Sequence, residues 1–132
     1  MKYICLSYLG PNTWETMTES ERTASMEEFF AYDEMLRKNG HMIGGQGLQS
    51  AAKGVTLRLD GGKVSVTDGP YAETKEQLAG FFIIEAEDLK QATELMSKHP
   101  AIKGGPIEIR LAADGTEMLR EKERWRAKAK KD

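Results

Sequence analysis

One stretch limits the possible fold more than any other: Ala79 to Ala86, AGFFIIEA. Side chains alternate across a strand, so Phe81 and Ile83 fall on one face and Phe82 and Ile84 on the other. A strand that is apolar on both faces belongs in the middle of a sheet covered on both sides. The rest of the chain can be read as what covers or extends that strand.

It closes a longer patterned stretch, Gly61 to Ala86. Val55, Leu57 and Leu59 alternate with Thr56, Arg58 and Asp60, and across Gly61-Gly62 Val64 and Val66 alternate with Lys63, Ser65 and Thr67. This predicts a hairpin with one covered and one polar face. Asp68-Gly69-Pro70-Tyr71 is a sharp corner: Asp for an Asx turn, Gly for unusual φ, Pro for fixed φ, Tyr to plug the core. Glu73 to Leu78 follows as a polar turn or helical fragment.

Taken in order, Lys2 to Leu9 is a first strand. Ile4, Leu6 and Tyr8 lie on one side, and Tyr3, Cys5, Ser7 and Leu9 on the other. Thr18-Glu19-Ser20-Glu21 is a capping-box pattern that starts a helix. Met26, Phe29, Phe30 and Leu36 form its buried stripe, and Asn39-Gly40 ends it. His41 to Leu48 is a short strand running into glycines. Asp88 caps a second helix, with Leu89, Ala92, Leu95 and Met96 inward and His99-Pro100 as its stop. Ile107 to Leu111 is the last strand. From Asp114 onward the chain reads as a charged helix.

The order β, α, β, hairpin, β, α, β predicts an α+β fold, a ferredoxin-like sandwich with two helices on one face of an antiparallel sheet. Residues 1–112 form the domain and 113–132 a charged helical tail. Two helices cover one face only, yet the central strand is apolar on both. A second copy packed sheet to sheet resolves this, so a homodimer is expected.

Composition narrows the function. A length of 132 residues suits one domain, and a formal charge of −2 recruits neither nucleic acid nor an acidic membrane. Cys5 is the single cysteine, which excludes an intrachain disulfide and a thiolate metal cluster and fits a reducing cytoplasm. No apolar run reaches the roughly 20 residues of a membrane span. The strand pattern begins at once, so no signal peptide is expected.

Val66 to Glu76, VTDGPYAETKE, followed by Ala79-Gly80-Phe81, resembles the signature of the DGPF branch of the YCII-related family. Tyr71 stands where that branch usually has Phe. Gly44-Gly45-Gln46-Gly47-Leu48-Gln49 and Ile107-Glu108-Ile109-Arg110 extend the resemblance, which runs from about Lys2 to Leu111. It implies a dimeric ferredoxin-like α+β barrel. It also implies a largely uncharacterised function, with an enzyme suggested by a histidine and an aspartate in the wider family. A transcription-linked role is suggested by fusions to sigma factors. The family's histidine lies in the first helix. Aligning on Gly40 places Phe29 near that position, and no histidine occurs between Thr18 and Asn39. The family's dyad therefore does not carry across, and of its two members only the aspartate has a matching residue, Asp68.

Asp68 is accordingly the candidate catalytic residue, a base or hydrogen-bond acceptor at the mouth of a sheet cavity. Gln46, Tyr71, Glu73 and Lys75 are the candidate ligand-binding residues: Glu73 as a second carboxylate, Lys75 for an anionic group. A solvated, self-capping turn is the competing reading of Glu73 to Glu76. The glycines at 44, 45 and 47 lack the Lys-Ser/Thr of a phosphate loop, so no nucleotide cofactor is expected. His41 and His99 read as residues at helix C-termini, and their spacing offers no zinc site. Cys5 reads as a buried hydrophobe. Trp14 reads as a loop residue that folds over a pocket or packs at the dimer edge. The basic tail carries Met118 and Trp125, seven residues apart, and reads as a solvated helix gripping the partner subunit in preference to a nucleic-acid arm.

The function expected is small-ligand binding by a dimeric domain, with cofactor-free acid–base chemistry if it is an enzyme. The alternatives are a regulatory module working with transcription machinery and a non-catalytic structural dimer.

Overall fold

The computed structural model describes residues 1–131, with side chains described through Lys130. Four strands, β1 (Lys2–Leu9), β2 (Met42–Gly47), β5 (Gln77–Glu85) and β6 (Ile107–Leu111), form one antiparallel sheet in the order β2-β5-β1-β6. Helix α1 (Glu19–Lys38) connects β1 to β2, and helix α2 (Leu89–Ser97) connects β5 to β6. Each connection spans one intervening strand, so the two βαβ units interlock. Strands β3 (Val55–Asp60) and β4 (Lys63–Asp68) pair only with each other. Helix α3 (Gly115–Lys131) follows the domain.

Register explains the core. Tyr3 faces Ile84 and Cys5 faces Phe82 across β1 and β5, and Cys5 faces Ile109 across β1 and β6. These residues point to the helices, where Leu36, Met42, Ala92 and Met96 join them as buried core. The opposite parity, Ile4 facing Ile83 and Leu6 facing Phe81, stays half-buried within one chain. The central strand is thus apolar on both faces and covered by helices on one.

Both helix starts follow from their caps. The Thr18 hydroxyl accepts from the Glu21 N–H at 3.1 Å, and the Glu21 carboxylate accepts from the Thr18 N–H at 3.1 Å. Those hydrogen bonds, chiefly the one from the Thr18 backbone, hold the Glu21 carboxyl below the usual range. Asp88 caps α2 by accepting from the Gln91 N–H at 2.8 Å.

The hairpin differs from its expected role. Gly61 and Gly62 turn it with φ of +58° and +81°, a conformation that favours glycine at both positions. Leu57 then faces Val66, and Leu59 faces Val64. Within one chain the apolar face is the open one, and Leu59 is 76% exposed. The polar face turns inward, with Thr56 and Ser65 half-buried.

The Asp68 corner is also built differently. Gly69 adopts φ +92°, its N–H donates to Gly54 O at 2.7 Å, and its carbonyl accepts from the Thr56 hydroxyl at 2.8 Å. Backbone and Thr56 hold the turn, while the Asp68 carboxylate accepts no hydrogen bond among the described residues, so the expected Asx turn is absent. Tyr71 does not plug the core; it is 78% exposed. No helical fragment forms after it. The Gln77 amide instead staples the turn by donating to Thr74 O at 2.9 Å and Ala72 O at 3.2 Å.

Candidate functional site

The site is built around two residues that the chain brings together from α1 and from the end of α2. Pro100 cannot continue a helix, so the chain leaves α2 and starts a short 3-10 turn, Pro100–Lys103, with His99 as its N-cap. This turns the imidazole inward, where it is fully buried. The Ala101 N–H donates to His99 Nδ1 at 3.0 Å. Nδ1 must therefore carry a lone pair, which puts the proton on Nε2. Nε2 lies 2.7 Å from Asp33 Oδ1 and donates to it. His99 is thus a neutral imidazole aimed at a carboxylate.

Aromatic rings fix that imidazole. The centroids of Phe82, Phe29 and Tyr32 lie 4.7, 4.8 and 5.2 Å from it, the latter two edge-on. The Tyr32 hydroxyl donates to Leu95 O at 2.5 Å and so ties α1 to α2 beside the ring. Burial raises the Tyr32 phenol above its ordinary value. Phe29, which stands where the resemblance puts a histidine, packs against His99 instead.

Asp33 sits on the inner face of α1, 8% exposed, four residues after Phe29 and three before Leu36. Its second carboxylate oxygen takes no hydrogen bond, yet among the described residues no buried side-chain oxygen is left unpaired. That oxygen therefore opens on a cavity of about 820 Å³ that Asp33 helps to line. The cavity lies between α1, the glycine-rich part of β2, the middle of β5 and the loop before α1. Trp14, Phe29, Phe30, Met17 and Met26 supply its apolar walls, and Arg37 and Gln46 add polar groups.

Two local devices shape this space. A Cβ on Gly45 would lie 2.7 Å from Phe81 O, and one on Gly80 would lie 2.8 Å from Gln46 O. The strands approach too closely there for side chains, so part of the floor is bare backbone. On the other side, Arg22 donates from Nε to Trp14 O at 3.0 Å and from Nη2 to Glu15 O at 3.3 Å. Its guanidinium also lies 5.4 Å from the Trp14 ring, so α1 holds the loop that carries this wall.

Of the residues read as a site from sequence, Gln46 lines the cavity. Asp68, Tyr71, Glu73 and Lys75 are exposed and lie outside its lining. His41 donates from Nδ1 to Glu85 O, 2.8 Å away, beyond the helix end as expected. His99 lies just past the end of α2 as expected, and among the described residues it is the most deeply buried polar side chain. Asp33 was missed altogether. Its signal is a charged residue in register with the apolar stripe of Phe29 and Leu36, where a solvated carboxylate does not belong. Among the described residues no group of three His, Cys, Asp or Glu side chains converges as metal ligands would. Cys5 is buried in the core, and burial pushes its thiol up to about 11.

An uncharacterised protein of Rhizobium meliloti (strain 1021) is 31% identical over 94 residues, covering 71% of this chain and 76% of that protein. The fold is similar to that of 5-chloro-2-hydroxyhydroquinone dehydrochlorinase (TftG) from Burkholderia phenoliruptrix AC1100, solved in complex with 2,5-dihydroxybenzoquinone. The TM-score is 0.53 at 17% identity, over 89% of this chain and 98% of that one. At that identity the likeness shows a shared fold. The model of the YCII-related domain matches residues 1–114, the whole of the chain before α3. The chain therefore belongs to the YCII-related domain family.

Proposed function

We propose that the protein binds a small hydroxylated aromatic ligand in the cavity between α1 and the sheet, with Asp33 as the group that meets the ligand hydroxyl. The observation that carries this reading is the 2.7 Å bond from His99, which fixes one oxygen of Asp33 and leaves the other facing the cavity. A planar ring fits between the aromatic wall and the bare glycine floor. Its O–H donates to the free oxygen of Asp33. In a reaction, the hydroxyl proton passes to that oxygen, and the ligand keeps the electron pair as a phenolate. The His99 N–H steadies the carboxylate by a hydrogen bond and does not itself touch the ligand. Arg37, also in the lining, favours the negative charge that develops. The structural neighbour was solved with a hydroxylated quinone, which is not aromatic but is likewise a planar six-membered ring bearing hydroxyls. The catalytic part expected of Asp68 is assigned to Asp33 on this reading, and Gln46 is kept as a ligand contact.

The same reading takes the domain as a ferredoxin-like sandwich that pairs into a dimeric α+β barrel. The helix-free face with Ile4, Leu6, Phe81 and Ile83 is then buried between two copies. The Asp68-Gly69-Pro70-Tyr71 corner supports reading the chain as a member of the DGPF branch. A single reduced Cys5 suits the cytoplasm.

A thermal-shift series tests the ligand class. Hydroquinone and catechol should raise the melting temperature, and 1,4-dimethoxybenzene, which has the ring but no O–H, should not. Equal shifts from all three, or none from any, would sink the proposal.

A further inference from the structure

A benzene ring fits in a cavity of about 150 Å³. The cavity between α1 and the sheet holds about 820 Å³, several times the space that one ring requires. Its long direction follows α1, and three contacts mark successive levels of that helix. His99 meets Asp33 at 2.7 Å, Lys103 meets Glu28 at 2.9 Å, and Arg22 donates to the Trp14 carbonyl at 3.0 Å. Residues 99–103 and the Trp14 loop therefore lie along the helix from Asp33 back toward its N-terminus. Arg22 precedes Asp33 by 11 residues, or roughly 16 Å of helix rise. Helix α1 lines the cavity over this whole length, from Glu21 through Ser25 and Phe29 to Asp33. The space is a trough with the Asp33 carboxylate toward one end and Trp14 at the other.

The two ends differ in chemistry. Asp33 and, one turn further on, Arg37 make one end polar. Between Asp33 and Trp14 the large lining side chains are apolar: Phe30, Met26, Met17 and Leu9. The charged groups at the Trp14 end are engaged elsewhere. Lys103 and Glu28 pair with each other, Glu21 closes the capping box, and Arg22 holds the loop. Trp14 is 38% exposed and Phe30 is 60% exposed, so no part of the chain covers this apolar end. A single ring held at Asp33 does not reach Trp14. We infer that the ligand is an extended phenol, in which the hydroxylated ring at Asp33 carries a further aromatic ring that runs along α1 toward Trp14. The aromatic lining favours a ring over a flexible chain, because a rigid flat group stacks on it with little loss of rotamer freedom. Trp14 is then the residue that sets the length of ligand the site prefers. The inference rests on the phenol reading above and deepens it by fixing the size of the ligand.

Calorimetric titration of catechol and of 4-phenylcatechol into the full chain tests it, and the quantity read is the ratio of the two dissociation constants. The wild type should bind 4-phenylcatechol at least about tenfold more tightly, the gain that burial of a second ring supplies. Binding of catechol with a ratio near one overturns the extended ligand and leaves the phenol reading standing. Binding of neither compound overturns both. An apolar ring gains affinity for many surfaces, so two variants locate it. Trp14→Ala removes the far wall, and Ser25→Trp fills the trough between Arg22 and Asp33. Each should bring the ratio down toward one, whatever it does to the affinity for catechol. A wild-type ratio in Trp14→Ala overturns the placement of the second ring. Should that variant fail to fold, the ratio in Ser25→Trp decides the matter by the same criterion.

Discussion

His99 Nε2 lies 2.7 Å from Asp33 Oδ1, and the two residues are 66 apart in sequence. The bond joins α1 to the end of α2 inside an aromatic cage. It is the only polar side-chain link among the described residues that crosses the interior with the imidazole fully buried. Because Nδ1 is already taken by the Ala101 N–H, the imidazole has one orientation and one tautomer. Asp33 therefore has one oxygen committed and one available.

His99→Ala should destabilise the fold by about 2–4 kcal/mol, since it leaves a cavity, an unpaired Ala101 N–H and a buried carboxylate without its donor. Denaturant titration measures this. If His99 also positions Asp33, a His99→Gln variant, whose amide can donate to Asp33, should bind catechol better than the alanine variant does at a temperature where both are folded.

Cys5 should resist alkylation by iodoacetamide at neutral pH in the native protein and react once the chain is unfolded. Burial raises its thiol from the ordinary 9.0 to about 11. The fold prefers the neutral thiol, so this contribution to stability is complete below pH 9.0 and fades as pH rises toward about 11. A native protein alkylated as fast as the unfolded chain would contradict the burial of Cys5.

Thr18→Ala should cost about 1 kcal/mol by removing half of the capping box that starts α1. The folded-state carboxyl of Glu21 lies below the usual range, so its part of the box is present at neutral pH and is lost as pH falls through that lowered value. Comparing the wild type and Thr18→Ala by thermal melts at neutral and strongly acid pH should show the gap narrowing in acid.

Deleting residues 115–132 should leave the chemical stability of the domain unchanged. Helix α3 is exposed along its described length, with Met118 and Trp125 among the open residues. A lower denaturant midpoint for the shortened chain would show that α3 packs on the domain.

Much of the fold is legible in the sequence because its elements carry local signals. The Thr18 box, the Asp88 cap, the Gly61-Gly62 turn and the double alternation of Phe81 to Ile84 each act over a few residues, and each forms as read. The pair at the site is harder to see, because Asp33 and His99 meet only through the packing of α1 on the 3-10 turn that follows α2. His99 looks like a helix terminus in one dimension, and the turn of the chain at Pro100 is what makes it a core residue. Asp33 could have been singled out as a charge in the Phe29–Leu36 stripe. The corner at Asp68 drew attention because its sequence is distinctive, but the distinctive residues there mostly shape backbone. The exposed hairpin face shows the opposite limit. Its alternation announces a face to be covered, yet within one chain that face stays open.

The most direct measurement is calorimetric titration of catechol into the wild type, Asp33→Asn and Asp68→Asn. Asn keeps the size of the side chain but weakens it as an acceptor for a phenolic hydroxyl. Binding by the wild type and Asp68→Asn, with at least a tenfold loss in a folded Asp33→Asn, is the expected result and corresponds to about 1.4 kcal/mol or more. Unchanged affinity in Asp33→Asn, or a loss confined to Asp68→Asn, would contradict the assignment of Asp33 as the group that receives the ligand.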